Sequence, residues 1–153
     1  MGLLDKLTGT RRPDGAGAPR PAEEVRRALL ALSDTGAPYR VRDGLPAENA
    51  DLVAECHIRR VGVRLRTRMR LMSAKHEVRF LDERWENRLG GDADGQYGRG
   101  HAPAVFRQWE KQQGPDGREH RVEAFRFDTR EMTDPLRDAV LGAGWTWRGV
   151  LRL

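Results

Sequence analysis

Arginine is the residue type whose spacing in this chain could do chemistry. Six arginines fall within the twelve residues from Arg59 to Arg70, and from Arg64 onward they alternate with other side chains. A period of two is typical of a β-strand with one apolar and one charged face. Guanidinium groups stay charged at any accessible pH and bind carboxylates and phosphates through paired hydrogen bonds. The run therefore predicts an arginine-lined strand suited to an anionic partner.

The same six arginines account for the net charge. The chain has a formal net charge of +5, so removing them leaves 5 − 6 = −1. Nucleic-acid surfaces normally interleave aromatic side chains, and only Trp85 is well placed for this. The alternative is a solvated face, partly balanced by Glu83 and Glu55. The candidate contacts for nucleic acid or an acidic protein surface are Arg64, Arg66, Arg68, Arg70, Arg79 and Trp85.

A hairpin is predicted to follow the arginine run. Ser73–His76 reads as a turn, and 77–85 reads as the returning strand. The register that keeps one face apolar also places the Arg64 guanidinium over the Trp85 ring, and it opposes two arginines, which destabilises a sheet. The predicted cross-strand pairs are Arg64–Trp85, Arg66–Glu83, Thr67–Asp82, Arg68–Leu81, Met69–Phe80, Arg70–Arg79 and Leu71–Val78.

Catalytic and metal-binding patterns are weak. Cys56 and His57 are adjacent on a predicted strand, so their side chains point to opposite faces and cannot act as a nucleophile and base. The four histidines lack metal-ligand spacing, and the Gly-rich loop at 90–101 fails the calcium-loop and dinucleotide patterns. We therefore predict no catalytic residues, no metal and no cofactor. An enzyme would need convergent polar groups at this loop.

Length and composition favour one domain with a tail. The 153 residues can bury a core, and a single cysteine, Cys56, excludes an internal disulfide. No run approaches the roughly 20 apolar residues of a membrane span. We expect a soluble cytoplasmic protein, and its oligomeric state stays open. Residues 1–21 are predicted to be a flexible tail, and residues 22–153 a single domain.

The tail carries a short apolar segment made of Leu3, Leu4 and Leu7. Its first interpretation is a frayed terminus, and its second is a docking peptide for a protein–protein adaptor. The domain has amphipathic helices predicted at 22–33 and 134–142, the second capped by Thr133 or Asp134, with short strands between them. Residues 104–111 fit either a strand or a helix. The fold class is α+β, an antiparallel sheet of hairpin-connected strands with both helices packed on it.

Five segments resemble an uncharacterised group of actinobacterial cytoplasmic proteins. Together they span most of residues 39–149, and Cys56 stands where that group has an aromatic residue. The resemblance implies no activity. The first two segments also resemble tubby-like barrel domains, which are associated with membrane lipid or nucleic acid binding, and this resemblance implies a lipid or small-ligand binding module. Such a binder would require an apolar cavity near Trp145 and Trp147. The segments are Tyr39–Gly44, Asp51–Glu55, His76–Arg79, Pro135–Val140 and Ala143–Trp147.

Together these features predict a non-catalytic binding or adaptor domain. Its contact surface is the arginine-lined strand. Trp145 and Trp147 share one strand face and are expected to close the core.

Overall fold

The computed structural model describes residues 2–15, 17–86 and 96–153. They form a six-stranded sheet, a separate two-stranded sheet and three α-helices. The helices are α1 (Leu3–Thr8), α2 (Ala22–Ala31) and α3 (Arg130–Gly142). The strands are β1 (Arg40–Asp43), β2 (Leu52–Ile58), β3 (Val63–Met72), β4 (Glu77–Glu86), β5 (Gln96–Arg99), β6 (Val105–Gln113), β7 (Glu119–Asp128) and β8 (Thr146–Gly149).

The main sheet has the order β1-β2-β3-β4-β5, with antiparallel neighbours throughout. β8 lies beside the first half of β4 and β5 beside its second half. These strands and the helices confirm the predicted α+β class. The pairing of β8 with β4 is parallel, because β8 enters the sheet after the helical connection α3 rather than after a tight turn.

The β3–β4 hairpin has the register that the sequence predicts. Arg66 lies opposite Glu83, Arg64 opposite Trp85 and Arg70 opposite Arg79. The turn is a single 3₁₀ turn, Ser73–Lys75. The alternate residues of the other face are buried, so a slip by one residue would expose them all and bury the arginines.

The core lies between one face of the main sheet and the helices α2 and α3. Leu29 of α2 and Leu136 of α3 are fully buried there. Trp147 stacks on Phe80 with ring centroids 4.1 Å apart. Trp145 and Trp147 are each 1% exposed, which confirms that the last strand closes the core.

The helix boundaries agree only in part with the sequence prediction. α2 continues as a 3₁₀ turn to Thr35 and ends at Gly36, which has a φ of 74°. α3 begins at Arg130, so the predicted cap at Thr133 or Asp134 is wrong. The carboxylate of Asp128 already accepts a hydrogen bond from the Arg130 amide, and this starts the helix four residues earlier.

Thr10 and Arg11, which follow helix α1 in the N-terminal segment, pack on the domain. Arg11 exchanges backbone hydrogen bonds of 2.8 and 2.9 Å with Trp147, and buried Thr10 accepts one from the Gly149 amide. These contacts differ from the free tether that composition suggests. Independent motion of residues 1–21 stays a prediction. The side chains of Leu3, Leu4 and Leu7 are 76%, 74% and 66% exposed.

The second sheet is a hairpin of β6 and β7, which we call the arm (residues 105–128). Residues 104–111 are thus a strand from Val105 onward. The arm contacts the domain at its base, where the Arg60 guanidinium lies over Phe125 and donates to the Ala124 carbonyl. Arg84 lies over Phe106 at the same end. None of the described helices is both long and apolar enough for a membrane span.

Candidate anion-binding site

The outer face of the main sheet, away from the helices, is dominated by arginine. We call it the arginine face. The strand residues whose side chains share this face include nine arginines and three glutamates, Glu55, Glu77 and Glu83. The strand residues of the face therefore carry a summed charge of 9 − 3 = +6, which we call the strand charge. The arginines are Arg40, Arg42, Arg64, Arg66, Arg68, Arg70, Arg79, Arg99 and Arg148.

Glu83 is a buried carboxylate at the centre of this face. Its Oε1 accepts hydrogen bonds from Arg68 Nε at 2.6 Å and Arg66 Nε at 3.1 Å. Its Oε2 accepts one of 2.6 Å from the Tyr97 hydroxyl. Burial raises the pKa of Glu83, but the hydrogen bonds from Tyr97 and Arg68 outweigh it and hold the pKa below its ordinary value. Glu83 is therefore a charged anchor for two arginines.

Glu48 supplies a second carboxylate from outside the sheet. It lies in the 3₁₀ turn Pro46–Glu48, and both its oxygens accept from Arg42, at 2.7 and 2.8 Å. Its backbone carbonyl accepts from Arg68 at 2.7 Å, and Arg66 lies 3.4 Å from its Oε2. The hydrogen bond from Arg42 outweighs burial and lowers the pKa of Glu48 to about 2.

Arg66 and Arg68 are consequently held inside an ion-pair network. Their side chains are only 19% and 13% exposed. The predicted arginine-lined strand requires guanidinium groups that are open to an anionic partner, and for Arg66 and Arg68 this prediction is wrong. Carboxylates from β4 and from a distant turn converge on the middle of β3. Glu83 was the expected counter-ion, whereas Glu55 binds Arg42 instead.

An aromatic pair lies at one end of the arginine face. Arg64 and Arg66 both place their guanidinium carbons 4.9 Å from the Trp85 ring, which confirms the predicted Arg64–Trp85 contact. Tyr97 lies beside Trp85 with ring centroids 5.3 Å apart, and Arg99 lies over Tyr97. The Gly-rich pattern at 90–101 places Tyr97 in a loop, so the sequence does not predict this aromatic pair.

Exposed cations remain at the margins of the face. Arg40, Arg64 and Arg70 are exposed, and they form no ion pair with any residue that the structure describes. Arg70 lies opposite Arg79, whose guanidinium binds Glu77 at 2.9 Å. These exposed arginines can accept a phosphate or carboxylate without breaking an existing ion pair.

Glu77 balances the other end of the arginine face. It accepts from Arg148 at 2.7 Å as well as from Arg79. Burial raises its pKa, yet the hydrogen bonds from Arg148 and Arg79 bring the pKa below its ordinary value. Arg79 therefore already forms an ion pair within the chain, unlike the exposed Arg70 opposite it.

Polar groups also meet on the inner side of the sheet, near the Gly-rich loop. Thr67 donates to Asp82 at 2.6 Å, and His101 Nδ1 lies 3.3 Å from the other Asp82 oxygen. They line a cavity of about 90 Å³ under residues 98–103. Residues 90–95 of the predicted loop lie outside the described residues, and residues 96–99 are strand β5 rather than loop.

Cys56 is a buried thiol on the core side of β2. Its sulfur lies 3.3 Å from the Pro38 carbonyl, and burial raises its pKa to about 11. A protonated buried thiol is a poor nucleophile. Within residues 2–15, 17–86 and 96–153, no three His, Cys, Asp or Glu side chains cluster in a way that could hold a metal ion.

Comparisons with known proteins found no matching family model, no matching curated protein and no matching solved structure. The resemblance to the actinobacterial group stays a prediction. The functional argument therefore depends on the geometry of the chain itself.

Proposed function

We propose that this protein is a non-catalytic binding domain that contacts an anionic partner, nucleic acid or an acidic protein surface, through the arginine face. The strand charge of +6 on one side of one sheet is the observation that supports it. Glu48 lowers this to +5, which still leaves an excess of positive charge. A concentrated positive field attracts polyanions and steers their association.

The two kinds of arginine on β3 have different roles in this proposal. Arg66 and Arg68 are fixed by Glu83 and Glu48, so they stiffen the surface. Arg64 and Arg70 are exposed and six residues apart, about 20 Å along the strand. They are the first contacts for phosphate or carboxylate groups.

The test is a salt titration of binding. Fluorescence anisotropy with a 20-base-pair DNA duplex and with polyglutamate measures affinity from 25 to 200 mM salt. The double variant Arg64→Gln/Arg70→Gln should weaken duplex binding about tenfold at low salt and reduce the slope of log K against log salt by about 1.8. The matched control, Arg20→Gln/Arg27→Gln, removes two exposed arginines elsewhere and should bind like the wild type.

Two outcomes would overturn the proposal. One is the absence of binding to either probe at 25 mM salt. The other is an equal loss of affinity in the double variant and the control, since that would mean net charge alone matters. Preference for polyglutamate over DNA would identify an acidic protein as the partner class.

A protein–protein adaptor is the second candidate, favoured by the exposure of Leu3, Leu4 and Leu7. Three leucines on one short helix, each more than 60% exposed, are an unusual apolar surface for a monomer. Replacing all three by serine should remove partners that co-purify with the chain and leave its unfolding midpoint unchanged. Retained partners would exclude this candidate.

The tubby-like alternative gains no comparable support. The described strands of the main sheet form an open path from β1 to β5. The Trp145 and Trp147 side chains, where an apolar ligand was expected, are enclosed in the core.

A further inference from the structure

The outer half of the arm is uncovered on both faces. From Trp109 to Glu123 every residue except Gly114 is exposed. A two-stranded ribbon is marginally stable by itself, because its side chains lack a layer to pack against. The arm nevertheless keeps nine paired positions in β6.

The register places like charges opposite each other on one side of the arm. Arg107 lies opposite Arg126, and Lys111 lies opposite Arg121. Between these two pairs, at the alternate position, is Trp109. We call this side the arm face. Opposed like charges destabilise a sheet, so these pairs weaken a ribbon that has little other support.

A bulge keeps these residues together. The register shifts by one residue between Gln108 and Trp109, so Ala124 of β7 is left without a partner. Because Ala124 is an extra residue in β7, Arg121 and Arg126 lie on the same face of the ribbon although they are five residues apart. Without the bulge, Lys111 would oppose Val122 instead of Arg121.

The arm face points away from the domain. Phe106 and Phe125, on the opposite side of the ribbon, carry the cation–π contacts with Arg84 and Arg60. Trp109, by contrast, is 47% exposed. A large aromatic ring is thus presented to solvent between two pairs of cations.

The cations of the arm face are available for a ligand. Within the described parts of the chain, Arg107, Arg121 and Arg126 form no salt bridge, and Lys111 has only a 4.0 Å contact with Glu119. Glu123 lies opposite Trp109, and Glu119 and Asp128 lie at the two ends of the same face, so the face has a charge of 4 − 3 = +1.

We propose that the arm face binds single-stranded nucleic acid. Trp109 stacks on an unpaired base, and the two cation pairs contact the phosphates on either side. Arg107 and Lys111 are four residues apart, about 13 Å along the strand, so the surface accepts a short stretch of strand. Cations around an exposed aromatic ring are the combination that sequence-tolerant single-strand binding uses. The site is on a different sheet from the arginine face.

Binding of a labelled 15-nucleotide oligo(dT), measured by anisotropy at 50 mM salt with the full chain, tests this inference. Trp109→Ala should weaken binding at least fivefold, because stacking contributes about 1–3 kcal/mol per base. Arg107→Gln/Arg126→Gln should lower the salt slope by about 1.4. Glu123→Gln removes a repelling carboxylate and should strengthen binding.

Two controls separate this site from the arginine face and from general charge effects. Arg118→Gln removes one exposed arginine at the tip of the arm and should leave affinity for oligo(dT) unchanged. Arg64→Gln/Arg70→Gln should weaken duplex binding and spare oligo(dT) binding. The inference is wrong if oligo(dT) does not bind, if Trp109→Ala binds oligo(dT) as well as the wild type, or if Trp109→Ala weakens duplex binding as much as oligo(dT) binding.

Discussion

The main sheet and the arm both place arginine opposite arginine, but their surroundings differ. On the main sheet, Arg79 is opposite Arg70 and is ion-paired to Glu77, while Glu83 and Glu48 pair the arginines further along β3. On the arm, Arg107 and Arg126 form no salt bridge with any described residue, and the nearby Asp128 is ion-paired to Arg130 instead. An arginine pattern on a strand therefore does not indicate its role. Whether the cations stabilise the fold or stay available is decided by carboxylates on the same strand, on the neighbouring strand or in a covering turn.

Removing the central carboxylate of the main sheet should have the largest effect. Glu83→Gln leaves Arg66 and Arg68 partly buried without their shared counter-ion, so the free energy of unfolding should fall by about 3–5 kcal/mol. Urea denaturation measures it. Glu123→Gln on the arm makes the same chemical change at an exposed site and should alter stability by less than about 0.5 kcal/mol. Similar losses in both variants would contradict the distinction between the two sheets.

Acid should weaken the main sheet selectively. The pKa of Glu48 is about 2 in the folded chain and about 4.3 in an unfolded one, so its ion pairs stabilise the fold above pH 5. This contribution, about 1.5–3 kcal/mol, is lost as the pH falls from 5 towards 2. Unfolding free energies of the wild type and Glu48→Gln should therefore converge over this range. A constant difference would show that Glu48 acts by packing rather than charge.

Neighbouring arginines of β3 should differ in their importance for stability. Arg66→Gln breaks charged hydrogen bonds and should destabilise the chain by about 2 kcal/mol. Arg64→Gln removes an exposed cation–π contact that is worth about 0.5–1 kcal/mol. Thermal unfolding of the two single variants, matched in chemistry and strand, gives the comparison directly. Equal losses would mean that the network around Glu83 contributes nothing beyond a surface contact.

The smallest change in stability is expected on the arm, and it should be an increase. Arg107→Glu replaces an opposed like-charge pair by an opposite-charge pair with Arg126, which should stabilise the ribbon by about 0.2–1 kcal/mol. Amide hydrogen exchange in residues 105–128 should slow accordingly, while oligo(dT) affinity falls. Faster exchange in the variant would show that Arg107 is held by contacts other than those described.

Much of the arginine face could be predicted from the sequence. The strict alternation from Arg64 to Arg70 and the short turn at Ser73–His76 fix the hairpin register, because one face must be apolar. The position of Glu48 could not be predicted. It is 18 residues before Arg66, in a turn whose orientation depends on how β1 and β2 pack.

In the arm, too, the residues of the site can be read from the sequence but their alignment cannot. Trp109, Lys111 and Arg121 are visible in the sequence, and Gly114–Gly117 signals the turn. Their alignment depends on the bulge at Ala124, which no local pattern marks. The parallel entry of β8 was missed for a related reason, since strand direction follows from the helix before it rather than from the residues of the strand.

Gly149 lets the N-terminal segment cover a strand edge that could otherwise pair with another copy of the chain. A Cβ atom built at this position would lie 1.7 Å from the Thr8 carbonyl, so only glycine lets the N-terminal segment lie against β8. That segment occupies the outer hydrogen-bonding edge of the strand through Arg11. Unpaired strand edges recruit other chains and promote aggregation. A chain shortened past Arg11 would expose such an edge, so residues that composition alone marks as dispensable protect β8 from pairing with other chains.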